Sequence, residues 1–553
     1  MTEMQVVAKE ESRSPLSFPM FRAVWIANMT SNLGALIQVV GASWMMIAAG
    51  GSPQMVALVQ TSMSLPIMLL SLAAGAMADN LERRRVMMSA QLFLLLVSMT
   101  LATLAWLGNV TPWLLLTFTF LVGCGTAING PSWQASVGDL VPRPVLPHAV
   151  TYNAMGMNIA RSLGPAAGGA IVAAAGAAAA FLVNGLSTLG LLFVLRGWRP
   201  DYPPRQLPRE RLAAAMQAGL RYMMMSPHIG VLMLRAALFG CAASAIQALL
   251  PLVARDLLDA GPLTFGLLLG AFGMGAVASA MMTRRIRLLF SPEMILRAAS
   301  MFTALAALVS ALSGTIWLTA PLLALAGIGW VLAFSTINVG VQLASPRWVV
   351  GRALSLYQMA VYGGFAGGSW LSGYCANHVG TQNSLFIAAA ANLAVVGIAL
   401  LIPVPPFNEQ NLDPSDPWQK PDTAVPVEDR SGPIAIIIEH RVPADNVIPF
   451  LATMAERRRI RLRDGARRWS LFRDLSAPEK WVESYHFPTW LAYIRHNSRR
   501  TRADEANGDA LRALRVEGQD PVVHRMIERQ TSSLPLGRRG DPHALGDPVS
   551  QSH

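Results

Sequence analysis

The sequence predicts an all-α polytopic membrane protein of twelve transmembrane helices in two six-helix halves, followed by a small α+β cytoplasmic domain. Three observations carry this. Charged residues make up only 14% of the 553 and hydrophobic ones 53%, where soluble domains carry about 25% charged residues; mean hydropathy is +0.40. Composition then changes near residue 405: residues 1–405 hold 22 Lys+Arg and 11 Asp+Glu, while 406–553 hold 22 and 21. Finally, apolar runs of about 20 residues, enough to cross a bilayer core, recur throughout the first part and stop before the second.

The expected spans are 20–48, 54–78, 86–107, 112–138, 149–175, 178–196, 229–254, 262–283, 295–314, 316–343, 353–376 and 382–403. They must be helices, because hydrocarbon offers no partner to an unpaired backbone group. With residues 1–19 in the cytoplasm, the N-terminus, the loops after even-numbered spans and the span ends that adjoin them hold 19 of the 22 basic residues, and the opposite loops hold only Arg255. That asymmetry places both termini in the cytoplasm of a cell membrane (inner or plasma). The halves are 20–196 and 229–403. Between them the loop 197–228 carries "RERLAAAMQAGLRYMMM" (209–225), which reads as an amphipathic surface helix.

Several function classes fall away. The basic surplus lies in short loops between apolar segments, so nucleic acid is not an expected partner. Cys124, Cys241 and Cys375 each sit inside an apolar run, with no disulfide framework and no metal-ligand spacing. No cofactor is expected. The N-terminus has no short apolar core followed by a cleavage site, so no signal peptide is expected.

The hairpin after span 2, "GAMADNLERRRVM" (75–87), holds Asp79 and three arginines, Arg83, Arg84 and Arg85. Arginines here suit anionic headgroups. A carboxylate at the C-terminal end of a membrane helix does not, since the helix dipole disfavours it, and it needs a partner. After span 8, "MMTRRIRLLF" (281–290) repeats the arginines without the carboxylate. Two similar halves are the layout of transporters that rock around a central site.

Here the sequence resembles the major facilitator superfamily, whose corresponding hairpin reads G-x-x-x-D-R-x-G-R-R. Gly75, Asp79, Arg83 and Arg84 match; Asn80 and Glu82 depart from it. Span 5 contains "GPAAGG", with Gly164, Pro165, Gly168 and Gly169, similar to the second half of the family's antiporter motif, whose upstream glycines are replaced by Thr151 and Ala160. "PSWQASVGDLVPR" (131–143), "NIARSLGPAAGG" (158–169) and "LLPLVARDLL" (249–258) resemble the drug-exporter and enterobactin-exporter branch. The resemblance covers residues 15–405. It implies that Asp79 contacts a helix of the opposite half, with the arginines in the same cytoplasmic latch. It also implies proton-coupled efflux of an amphipathic small molecule, drug-like or siderophore-like.

Polar residues within spans are candidate pathway groups: Asn28, Asn32, Gln38, Gln60, Asn129, Arg161, Gln247, Asn338, Gln358 and Tyr362. For each amide, a helix–helix hydrogen bond is an equal alternative. Arg161 could instead neutralise Asp139, and Arg235 could snorkel towards the cytoplasm. No Asp or Glu stands near the middle of any span, so proton coupling rests on the resemblance alone. Methionine and small residues dominate the spans. An adaptable, mostly neutral cavity suits a bulky apolar or amphipathic substrate better than a sugar or an anion.

Residues 404–432 read as a Pro- and Asp-rich linker, 433–530 as a cytoplasmic domain and 531–553 as a disordered tail. The domain pattern is βαββαβ: strands 433–442, 466–475, 480–487 and 520–527, helices 444–463 and 488–514. It resembles the ferredoxin-like domains of the antibiotic-biosynthesis monooxygenase group, which implies a capacity to dimerise. Trp469, Trp481 and Trp490 are core or pocket residues, and "ERRRIRLRDGARR" (456–468) is a basic surface, solvated or facing the inner leaflet. The competing reading is a membrane-held enzyme or ligand sensor working through 433–530.

Overall fold

The computed structural model describes residues 14–199, 212–346, 349–404, 421–499, 501–516, 519 and 521–528. The expected tail and most of the expected linker lie outside the described residues, as does the side chain of Asp79. The chain divides into two compact units. One comprises residues 1–216, 228–341 and 352–406, the other 217–227, 342–351 and 407–553.

The first unit is helical: α1 (Pro19–Ala48), α2 (Pro53–Asn80), α3 (Arg83–Trp106), α4 (Pro112–Leu140), α5 (Leu146–Gly197), then, after α6 (Leu212–Met224), α7 (Pro227–Leu252), α8 (Pro262–Leu289), α9 (Pro292–Leu312), α10 (Ile316–Leu343), α11 (Val350–Val379) and α12 (Thr381–Leu401). Several begin on one local signal. Ser52, Thr111 and Ser291 each precede a proline, and each hydroxyl accepts from the backbone N–H three residues on, at 3.3 Å. The hydroxyl satisfies an orphan donor, and proline gives up an N–H that would have had no partner.

Among the described residues, ten helices are long and apolar enough to cross a membrane. Two features separate that number from the expected twelve. The 52-residue α5 counts once, although its backbone breaks at Gly176 with φ 77° and ψ 172°, in the gap expected between spans 5 and 6. Helix α11 is long enough, but Ser355, Gln358, Tyr362 and its glycines dilute its hydropathy.

Polar residues tie these helices together. Gln38 of α1 accepts at Oε1 from Ser98 of α3 at 3.0 Å and from the Asn184 amide of α5, which also reaches Ser98 Oγ at 3.0 Å. All three are buried. Asn184→Ala should cost about 0.6–2 kcal/mol, the span of measured interhelical hydrogen bonds in membranes, and lower the melting temperature of the detergent-solubilised protein. An unchanged melting temperature would count against the network. Arg235 does not snorkel. It is buried (3% exposed) and meets Glu293 of α9 at 3.3 Å while donating to the Val395 carbonyl of α12 at 3.2 Å. A carboxylate within reach removes the need to seek water.

The second unit contains β1 (Ile434–Arg441), α13 (Val447–Arg463), β2 (Arg467–Arg473), β3 (Lys480–Phe487), α14 (Trp490–Ser498), α15 (Arg502–Ala513) and β4 (Val522–Ile527). Every strand is antiparallel to its neighbours, in the order β2-β3-β1-β4. The expected helix 488–514 is two helices. Thr501 and Asp504 form a capping box that starts α15 afresh, satisfying two backbone donors at once. Ile434, Ile436 and Ile438 of β1 alternate inward with Tyr485 and Phe487 of β3, and Trp490 and Tyr493 of α14 complete this core.

A polar cluster lies beside that core. Glu483 of β3 is fully buried. It receives Arg457 Nε at 2.8 Å and Trp469 Nε1 at 3.2 Å, with His440 Nε2 at 3.4 Å and Arg461 Nε at 3.5 Å. Burial alone would raise the Glu483 carboxyl, but Arg457, the His440 hydrogen bond and Arg461 outweigh it and hold it well below the usual range. The basic run is therefore only in part a surface: Arg458, Arg467 and Arg468 are exposed, but Arg457, Arg461 and Arg463 turn inward. Arg457 and Arg461 serve Glu483, and Arg463 pairs with Asp464 and Asp504 at 2.8 and 3.0 Å.

Residues 217–227 belong to this unit, so the end of the central loop is not a free surface helix. Arg459 Nη1 donates to the Met225 carbonyl at 2.9 Å, and Arg221 Nε to that of Arg463 at 3.4 Å. The Arg463 guanidinium lies 5.2 Å above the Tyr222 ring. Burial pushes the Tyr222 hydroxyl up to about 12.

Candidate transport pathway

Glycines bring the two sets of membrane helices together. On α5, a methyl group at Gly164 would reach Leu36 Cβ at 2.8 Å, and one at Gly168 the Ile37 Cα at 3.0 Å. Both positions fit α5 against α1. Gly169 and Pro165 face α8 instead. A methyl at Gly169 would come within 2.6 Å of the Pro262 carbonyl oxygen, and one at Gly266 within 2.5 Å of the Pro165 carbonyl oxygen. Further along, Gly270 abuts Ser162 and Gly273 abuts the Arg161 carbonyl. Backbone thus meets backbone along the seam, which only small residues allow.

Helices α2 and α11 form a second seam. Ser71 Oγ donates to the Ser355 carbonyl and Thr61 Oγ1 to the Ala366 carbonyl, both at 3.2 Å. Gly75 abuts the Ser355 side chain, and a methyl group at Gly373 would come within 2.5 Å of the Ala57 methyl. The glycine of the hairpin motif therefore allows a close approach to α11.

The arginines of the hairpin work inside the first set of helices. Arg83 Nη1 donates to both Asp139 oxygens, at 2.9 and 2.8 Å, and to the Ala135 carbonyl at 3.0 Å; its Nε reaches the Ala78 carbonyl at 3.3 Å. Arg84 Nε donates to the Leu195 carbonyl at 2.8 Å and Nη2 to that of Arg196 at 3.0 Å. It caps the last carbonyls of α5, where a cation also complements the helix dipole. Asp139 is thus paired with Arg83 and not with Arg161.

The polar candidates fall into three groups. Gln38 belongs to the interhelical network, and Asn28 is also buried. Asn32, Gln60, Asn129, Gln247, Asn338, Gln358 and Tyr362 are half-buried; the Asn129 Oδ1 is buried without a hydrogen-bond partner. Arg161 is exposed. Sequence reasoning missed Ser71, Ser355 and the α8 glycines. "GLLLGAFGMG" (266–275) repeats small residues at helical spacing, a packing signal that would have pointed to α8 as the partner of the α5 motif.

The profile of the family described as "Transmembrane secretion effector" matches residues 11–533, membrane part and appended domain together. The multidrug efflux pump Tap of Mycolicibacterium fortuitum is 25% identical over 417 residues, 71% of this chain and 96% of that protein. The enterobactin exporter EntS of Escherichia coli O1:K1 / APEC is 25% identical over 391 residues, 69% of this chain and 91% of that protein. The staphyloferrin A transporter of Staphylococcus aureus (strain NCTC 8325 / PS 47) is 29% identical over 155 residues, 28% of this chain; the match spans only 39% of that relative's length. Among solved structures, a bacterial homologue of the human lysosomal transporter Spinster aligns with a TM-score of 0.58 at 13% identity. That alignment covers 71% of this chain and 97% of that one. A likeness at such low identity speaks to the fold alone. The chain belongs to the transmembrane secretion effector family and is a membrane transporter of the major facilitator superfamily.

Proposed function

We propose that the protein is a secondary active exporter of amphipathic small molecules, drug-like or siderophore-like, which crosses the membrane twelve times and works by rocking its halves. The count takes α5 as two spans either side of Gly176 and includes α11. The observation that carries the reading is the pair of glycine-lined seams, α5 with α8 and α2 with α11, each joining one half to the other. Such seams let rigid halves approach closely and part again around a midplane site. The named activities of Tap and EntS support export over import. Proton coupling and cytoplasmic termini complete the proposal, on the motif resemblance and the basic-residue asymmetry.

The appended domain is proposed as accessory. Its strand order and crossover helices suit a ferredoxin-like sandwich, and dimerisation through it is part of the proposal. The test is energised efflux of lipophilic dyes and siderophores from cells with and without the protein. Asp79→Asn, a protonophore and a chain lacking 433–553 run alongside. Efflux should fail at least about tenfold with Asp79→Asn, a change of about 1.4 kcal/mol in the balance of two states. It should fail with the protonophore and survive the deletion. Absence of efflux from membranes shown to contain the protein would refute export, and loss on deletion would refute an accessory role.

A further inference from the structure

The position of Arg161 refines the substrate class, an inference that rests on the exporter reading. At about 100° per residue, the residues of α5 that meet α8 (Ser162, Pro165, Ala166, Gly169) and those that meet α1 (Gly156, Gly164, Gly168) form two faces. Arg161 lies on the strip between them. Exposed Leu163 and Ala170 lie on the opposite side of the helix, where lipid belongs. The strip is flanked by a helix from each half, so it faces the interior. Arg161 is nevertheless exposed, as a side chain opening into space between the halves would be.

Its depth is central. Arg161 stands fifteen residues into α5, which begins at Leu146, about 22 Å along the axis. That is too far for the guanidinium to snorkel back to the cytoplasmic surface. Its carbonyl abuts Gly273 of α8, near the middle of that 28-residue helix. The carboxylate expected to neutralise it, Asp139, instead accepts on both oxygens from Arg83 Nη1. A guanidinium at this depth is costly unless water or an anion meets it, and its planar fork matches a carboxylate.

We propose that Arg161 recognises an anionic group, a carboxylate or one of like geometry, on an otherwise amphipathic transported molecule. This narrows the expectation from the apolar, methionine-rich spans: an apolar body with one acidic handle.

The test uses the purified full-length protein in detergent and two probes, a xanthene dye with a free benzoate and its methyl ester. Binding is read by fluorescence anisotropy for wild type, Arg161→Gln and Arg161→Lys. Arg161→Gln should weaken binding of the acid dye about 10- to 100-fold, the equivalent of one charge-assisted hydrogen bond. The ester should be unaffected, and Arg161→Lys, which keeps the charge without the planar fork, should bind the acid dye with an affinity between those of wild type and Arg161→Gln. Equal loss of both dyes in Arg161→Gln, loss of neither, or no binding of the acid dye by wild type overturns the proposal. Efflux of the same pair from energised cells separates the two readings. Wild-type protein that binds the acid dye through Arg161 but exports neither dye refutes export and leaves the anion site standing.

Discussion

Gly169→Leu is expected to reduce transport about 10- to 100-fold while the protein still reaches the membrane. A Cβ at this position meets the Pro262 carbonyl oxygen at 2.6 Å, the Gly266 Cα at 3.0 Å and the Leu263 Cα at 3.2 Å. All three are backbone atoms of α8 or its first turn, so no flexible side chain can swing aside. Leucine must push the helices apart, and overpacking of this kind costs about 1–3 kcal/mol. Because the seam joins the two halves, the cost falls on whichever state closes it, and about 1.4 kcal/mol shifts a two-state balance tenfold. Gly190→Leu is the control: nothing lies within 4 Å of a methyl group there. Efflux per molecule of membrane protein is the measurement. Equal activity of the two variants would show that α5 and α8 need not close.

Glu483→Ala is expected to unfold the appended domain. The carboxylate is fully buried with Arg457 at 2.8 Å and Arg461 at 3.5 Å, and removing one partner of a buried ion pair costs about 3–5 kcal/mol. Whole domains of this size are stable by only about 5–15 kcal/mol. Limited proteolysis of the full chain should cut Glu483→Ala within 433–530 under conditions where wild type resists; equal resistance would sink the idea. The same cluster sets an acid limit. Burial is the main cause that holds His440 below its ordinary range, against the raising effect of Glu483. A depressed histidine binds fewer protons folded than unfolded, so stability is fully present above the unfolded value of about 6.5 and falls as pH drops below it. Glu483 acts in the same direction at lower pH, below the unfolded glutamate value of about 4.3. Protease resistance should therefore decline from about pH 6.5 downwards, with a steeper loss below about pH 4.3.

The basic run 456–468 shows why the appended domain was only partly legible. Its strands and helices follow from alternation and turn residues, and the observed elements start and stop close to the expected ones except for the helix 488–514, which the Thr501–Asp504 capping box divides in two. The fate of the arginines does not follow, because Glu483 lies 26 residues after Arg457 and 22 after Arg461, and it reaches α13 only once β3 pairs with β1. Tyr222 is a sharper case. Nothing within the loop 197–228 signals that its end packs with α13, more than 200 residues later.

In the membrane part, sequence alone determined the helices, because hydrocarbon permits little else for long apolar runs, and the glycine and hairpin motifs, because they are local patterns. It also marked Arg161 as unusual. Only the tertiary structure decided which helix each glycine faces, that Asp139 belongs to Arg83, that Arg235 is neutralised by Glu293, and that Arg161 is exposed. The reason is physical. Helix formation answers to short-range periodicity and solvent, which a sequence displays directly. Pairing of charges and small residues depends on which helices become neighbours, and that is fixed by the packing of the whole chain.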